Sequence, residues 1–224
     1  MKEKKDQRFF ERTLDNNLEN LYSFLLEKNN ELSEQASKEL GEGLNKALAQ
    51  DPGILDAIAT KNSDRYNIWE FDNPEIKKLK EAIADMTREA CEYYGYNDNS
   101  SKFITHGWFN LDKKIINNGH SVDPRKDSSF FHDHMDGSGF PQLHGFYCVK
   151  AEPSITYYKI NNKDIFENIN KNNRAILSET GNPHGRDDWY GDEPRMTIAY
   201  DIILVPKGPM NEDSIFTDLF EWKT

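Results

Sequence analysis

The stretch "RMTIAYDIILV", residues 195 to 205, is the most restrictive part of this chain, because its polar and apolar residues take turns. In a β-strand successive side chains point to opposite faces. One face then carries Arg195, Thr197 and Ala199, and the other carries Met196, Ile198, Tyr200 and Ile202. The apolar set asks for a cover of helices, and the polar set faces a cavity.

The same period of two begins at residue 103. "KFITHGWFNL" sets His106, Trp108 and Asn110 against Thr105, Phe109 and Leu111, and "LHGFYCVK", "SITYYKI" and "RAILSET" read as further strands. The first hundred residues have a helical period instead. Leu14, Leu18, Leu21, Tyr22, Leu25 and Leu26, continued by Leu32, Leu40, Leu44 and Leu48 past Gly41 and Gly43, predict two helices. A further helix starts with Asn73 as cap, Pro74 and Glu75 in its first turn, and a stripe of Ile76, Leu79, Ile83, Met86 and Ala90, ending near Gly95. Residues 212 to 222, with Ile215, Phe216, Leu219, Phe220 and Trp222, predict a short closing helix. Helices followed by strands indicate an α+β fold with helices packed on one sheet. The length of 224 residues suits a single domain: a helical layer over 1–98, a β core over 103–206 and a closing segment over 207–224.

Composition narrows the partners. With 28 basic and 39 acidic residues the net charge is −11, which repels phosphate backbones and does not favour nucleic acid. No apolar run approaches the roughly 20 residues of a membrane span, and "MKEKKDQRFFERT" lacks the apolar core of a secretion signal. The expectation is a soluble cytoplasmic protein. Cys91 and Cys148 form neither a disulfide framework nor a CxxC site.

All six histidines fall between positions 106 and 184. In "FFHDHMDGSG", His134 and Asp136 form a His-x-Asp whose side chains point the same way at a strand end. His184, after "RAILSET", is the candidate third ligand. Two imidazoles and a carboxylate leave positions open for a chelating cosubstrate and dioxygen, as a non-haem Fe(II) oxygenase needs. Arg195 can clamp a carboxylate with paired hydrogen bonds, and Thr197, facing the same way, adds a hydroxyl. If His132 takes the place of Asp136, the site is three-histidine. His144, opposite Tyr147 in the strand alternation, reads as structural, His106 as a cavity-lining residue, and His120 as a solvated loop residue. Trp189 and Tyr190 read equally as a lid or as a loop anchor.

The order His134-x-Asp136, His184, Arg195-x-Thr197 resembles the 2-oxoglutarate/Fe(II)-dependent oxygenase superfamily. "GWFNLD", "HDH" and "LHGFYCVKAEPSITYY" more particularly resemble its bacterial and phage members, over roughly residues 103 to 205. Met135 stands where that family has a proline, and "DGSGFPQ" lengthens the following connection. The resemblance implies a double-stranded β-helix (jelly-roll) core. It also implies Fe(II) on His134, Asp136 and His184, with His132 as the alternative ligand. 2-Oxoglutarate is then the cosubstrate, held by Arg195 and Thr197 with further contacts from Asn110 and Tyr147, and O2 is the oxidant. The expected reaction is hydroxylation coupled to decarboxylation of 2-oxoglutarate to succinate and CO2. The substrate is a small molecule or a protein side chain. The rival readings are a three-histidine cupin-type dioxygenase and a non-catalytic binding domain.

Overall fold

The computed structural model describes residues 9–50, 66–96, 99–112, 131–134, 142–160, 164–179, 182–209 and 214–221. In chain order these form β1 (Phe9–Thr13), α1 (Leu18–Gln50), a single 3-10 turn (Ile68–Glu70), α2 (Pro74–Tyr94), β2 (Ser101–Asp112), β3 (Gln142–Lys150), β4 (Ile155–Ile160), β5 (Asp164–Ile169), β6 (Arg174–Glu179), β7 (His184–Arg186), β8 (Arg195–Pro206) and β9 (Thr217–Glu221). The large sheet runs β1-β6-β3-β8-β2-β9 and the small one β5-β4-β7, with antiparallel pairing throughout. His132 adds a bridge on the free side of β7. From β2 onward the chain shuttles between the two sheets, through the His132 segment, β3, β4 and β5, β6, β7 and β8. That alternation makes the β part a double-stranded β-helix, and with the helices the fold is α+β.

Helices cover the large sheet because their apolar stripes match its apolar face. In α2 the Asn73 side chain accepts from the amides of Glu75 and Ile76 at 2.9 and 3.3 Å, Pro74 occupies the first turn, and Gly95 ends the helix at φ 82°. Its stripe of Ile76, Leu79, Ile83, Met86 and Ala90 is buried in the main core with Leu21 and Leu25 of α1 and with Met196, Ile198, Tyr200 and Ile202 of β8. Each large apolar side chain buried there contributes about 1.5–3 kcal/mol. A second, smaller core of Phe146, Cys148, Tyr158, Ile160 and Ile176 lies between the two sheets and closes one end of the space they enclose.

Three expectations need correction. The leucines from Leu18 to Leu48 belong to one continuous helix, α1, which passes Gly41 and Gly43 unbroken, while Leu14 lies before it; isolated glycines weaken a helix but do not end it. The closing segment is a strand and not a helix. Of its apolar residues, Leu219 and Phe220 lie in β9, where Phe220 stacks on Phe103 of β2 at 4.8 Å, and Trp222 lies outside the described residues. Third, the polar N-terminal stretch contains β1, which pairs with β6, so strands from both ends of the chain extend the large sheet beyond residues 103–206. Among the described residues, no helix is long and apolar enough to cross a membrane.

Gly145 shows how tightly the layers meet. A Cβ at this position would lie 2.0 Å from the Ile176 carbonyl oxygen and 2.6 Å from the Tyr200 ring. Gly145→Ala is expected to lower stability by about 1–3 kcal/mol, as overpacking does, seen as a lower urea midpoint.

Candidate metal centre

His132 and His184 exchange both main-chain hydrogen bonds, His132 N to His184 O at 3.0 Å and the reverse at 2.8 Å. Residues paired in this way hold their side chains on one face. His134, two residues on, shares that face by the strand period. Candidate ligating atoms of His132, His134 and His184 consequently lie within 4.8 Å of one another. Nitrogens bound to one ion at about 2.1 Å stand roughly 3–4 Å apart, so the cluster would contract by about an ångström on loading. Nε2 of His134 and Nδ1 of His184 are buried without a hydrogen-bond partner, a costly state that a metal ion would relieve. The donor set fits a divalent transition metal.

A fourth imidazole belongs to the group. His144 on β3 is buried, its ring 4.7 Å from that of His184 and 5.3 Å from that of His134, with Nε2 3.3 Å from the Ser178 hydroxyl. Burial pushes His144 down to about 3, with His134 and His132 adding repulsion, and pushes His184 well below its ordinary value. His132 is lowered as well, chiefly by burial. Neutral imidazole is the metal-binding form, so burial prepares these rings for an ion.

The histidines form one end of a cavity of about 730 Å³ between the sheets, a size suited to a small ligand. Trp108 and Asn110 of β2 line it, as do Thr197, Ala199 and Asp201 of β8 and, from the small sheet, Thr156 and Arg186. Arg195 also lines it although only 3% exposed. Its Nε donates to Ser154 Oγ at 3.1 Å and its Nη1 to Asp112 Oδ2 at 3.0 Å. Asp112 is the cross-strand partner of Arg195 in the β2–β8 ladder, and its other oxygen accepts from Arg186. Burial lowers the Arg195 pKa while Asp112 opposes that shift, and a guanidinium stays protonated. Arg186 and Arg195 bring two guanidiniums to one cavity-lining carboxylate, Asp112, with Asp187 in electrostatic reach of both, and a guanidinium facing the cavity can pair with an anion.

The structure thus brings together His132, His134 and His184, and places Arg195, Thr197 and Asn110 on the same cavity. Asp136 and His120 lie outside the described residues. Tyr147 is a correction: its side chain points into the helix-side core and its hydroxyl donates to Asn173 Oδ1, because positions 144, 146 and 148 of β3, not 147, face the other sheet. His144 is buried and bonded as its structural reading expects, but its face looks inward at the histidine cluster. His106 stacks behind Trp108 at 5.4 Å with Nε2 3.0 Å from the Tyr66 carbonyl oxygen. Trp189 is a loop anchor, buried and donating to the Glu193 carbonyl at 2.7 Å. Reasoning from sequence missed Asp112, Arg186 and Asp201. The alternation itself held the signal: Asp112 continues Trp108 and Asn110, Asp201 continues Thr197 and Ala199, and Arg186 follows His184 by two.

No known protein-family pattern and no curated protein sequence matches the chain. Solved structures with a similar course include the nickel complex of ThoJ, a non-heme monooxygenase, at 10% identity and a TM-score of 0.42, covering 66% of this chain and 61% of that one. The α-ketoglutarate-dependent epimerase SnoN from nogalamycin biosynthesis is 12% identical with a TM-score of 0.44, covering 68% and 74%. A Pseudomonas putida prolyl-4-hydroxylase is 7% identical with a TM-score of 0.42, covering 60% and 67%. At such scores and identities no chemistry carries over from those proteins to this one.

If Tyr147 serves the core alone, Tyr147→Phe lowers stability by about 1 kcal/mol, the worth of one hydrogen bond. Metal affinity in the cavity should stay unchanged, as calorimetric titration with Co(II) would show.

Proposed function

We propose that this chain is a non-haem Fe(II)- and 2-oxoglutarate-dependent dioxygenase that hydroxylates a substrate admitted to the cavity. The observation that carries this reading is that a three-histidine cluster and a buried arginine line the same cavity of a double-stranded β-helix. His134 and His184, common to either ligand set that the sequence allows, are the residues that would hold the iron, with Asp136, outside the described residues, or His132 as the third. When bound, the iron supplies the activation of dioxygen that couples hydroxylation to conversion of 2-oxoglutarate into succinate and CO2.

The protein's own groups bind, orient and exclude water. Arg195, held by Ser154 and Asp112, presents its guanidinium to the far carboxylate of 2-oxoglutarate, with Thr197 beside it. Arg186 supplies the second positive charge, and Asp112 keeps both guanidiniums in place. Asn110 gives a further polar contact from β2. Phe146 and Trp108 flank the polar groups with apolar surface, which lowers the local dielectric and strengthens the charge contacts.

One observation favours a second reading. With His132 in the cluster, the described ligand set is all histidine, as in a cupin-type dioxygenase that oxidises its substrate without 2-oxoglutarate. Anaerobic titration with Fe(II) and then 2-oxoglutarate separates the two. The expected result is a visible charge-transfer band in the wild type that is absent in His184→Ala. Arg195→Ala should keep the iron and bind 2-oxoglutarate roughly 30-fold more weakly or worse, since losing a buried charged partner costs about 2–5 kcal/mol. Iron binding with no response to 2-oxoglutarate would select the second reading, and absence of iron binding would refute both.

A further inference from the structure

Asp201 lines the same cavity as the histidine cluster and has no part in the roles just assigned. On β8 it stands directly opposite His106 of β2 and His144 of β3. Its Oδ1 lies 2.8 Å from Nδ1 of His134, which comes from the facing side of the cavity. The two atoms are at ion-pair distance but off the axis of a hydrogen bond, and that Oδ1 is buried with no hydrogen-bond partner. Polar pairs at reactive centres are often misaligned before the ligand arrives and tighten when it does.

The other nitrogen of the His134 ring, Nε2, is buried with no partner. An imidazole whose Nδ1 faces a carboxylate carries its proton on that side and offers the Nε2 lone pair to a metal. The carboxylate also has a firm mount. β8 is paired on both sides at this point, and the Asp201 carbonyl accepts from Thr105 Oγ1 at 2.9 Å.

We propose that Asp201 is a positioning residue of the metal centre, holding His134 through Nδ1 so that Nε2 is the ligating atom. The inference deepens the function proposed above and rests on its metal site. It gives the histidine cluster a carboxylate at one remove: Asp201 fixes the ring plane and the tautomer of His134 without itself taking a coordination position.

The test uses Co(II) alone as the probe, read by calorimetric affinity and by the visible ligand-field bands of the bound ion. Asp201→Asn keeps the shape and an acceptor oxygen but removes the charge; Asp201→Ala removes both. The expected order of affinity is wild type, then Asn, then Ala, with Ala about 10- to 100-fold weaker than wild type. The ligand-field bands of both variants should keep the wild-type positions, because the ligands are unchanged. A loss of affinity with the melting temperature of the metal-free protein unchanged in Asp201→Asn marks the effect as one on the metal and not on the fold. Equal affinity in all three proteins would overturn the inference, and so would shifted bands, which would make Asp201 itself a ligand. Should wild type and His184→Ala bind Co(II) equally, the metal centre fails, and with it the function proposed above.

Discussion

The position of β8 is the constraint on which the rest depends. It is central in the large sheet, paired with β3 on one side and β2 on the other, so its two faces have separate tasks. Met196, Ile198, Tyr200 and Ile202 join the helices in the main core, while Arg195, Thr197, Ala199 and Asp201 line the cavity. A slip of one residue would exchange the two sets. The apolar face, at about 1.5–3 kcal/mol per large side chain, outweighs what polar pairs at the cavity contribute, so the core sets the register. The alignment of Arg195 with Asp112 and of Asp201 with His144 follows from it.

Burial acts in opposite ways at the cavity's two groups of charge. Imidazoles titrate near neutrality, so removing water leaves His144 and His184 uncharged, as metal ligands and their neighbours should be. Arg195 starts so far above neutrality that the same desolvation leaves it a cation, and Asp112 accompanies it. One cavity thus holds lone pairs and a fixed positive charge, its histidines ranging from exposed His132 to buried His144 and its Arg195 buried.

Most strands and the capped helix α2 were legible in the sequence, because their burial is one-sided and a one-sided pattern is periodic. The misses have physical causes. β9 has the apolar spacing of a short helix, and only its pairing with β2 decides between the two. β1 is short, charged and at the sheet edge, so little hydrophobic signal marks it. The candidate ligand histidines and Arg195 could be picked out because such residues are rare in strands without a task. Which face of β3 turns inward could not be told from alternation, since His144, Phe146 and Cys148 on one side and Leu143, Tyr147 and Val149 on the other are almost equally apolar. That ambiguity exchanged the roles of His144 and Tyr147.

Among the described residues, the segment that carries His132 and His134 is joined to β7 by one pair of main-chain hydrogen bonds. Two of the three candidate ligands therefore come from the described segment 131–134, and the third from the strand with which it pairs. An ion bound by all three is a cross-link between distant parts of the sequence, much as a disulfide is. Its binding free energy goes partly into closing that loop, so the measured affinity reports the docking of the segment as well as the strength of the nitrogen bonds. By the same linkage, raising the free metal concentration makes the whole fold harder to unfold.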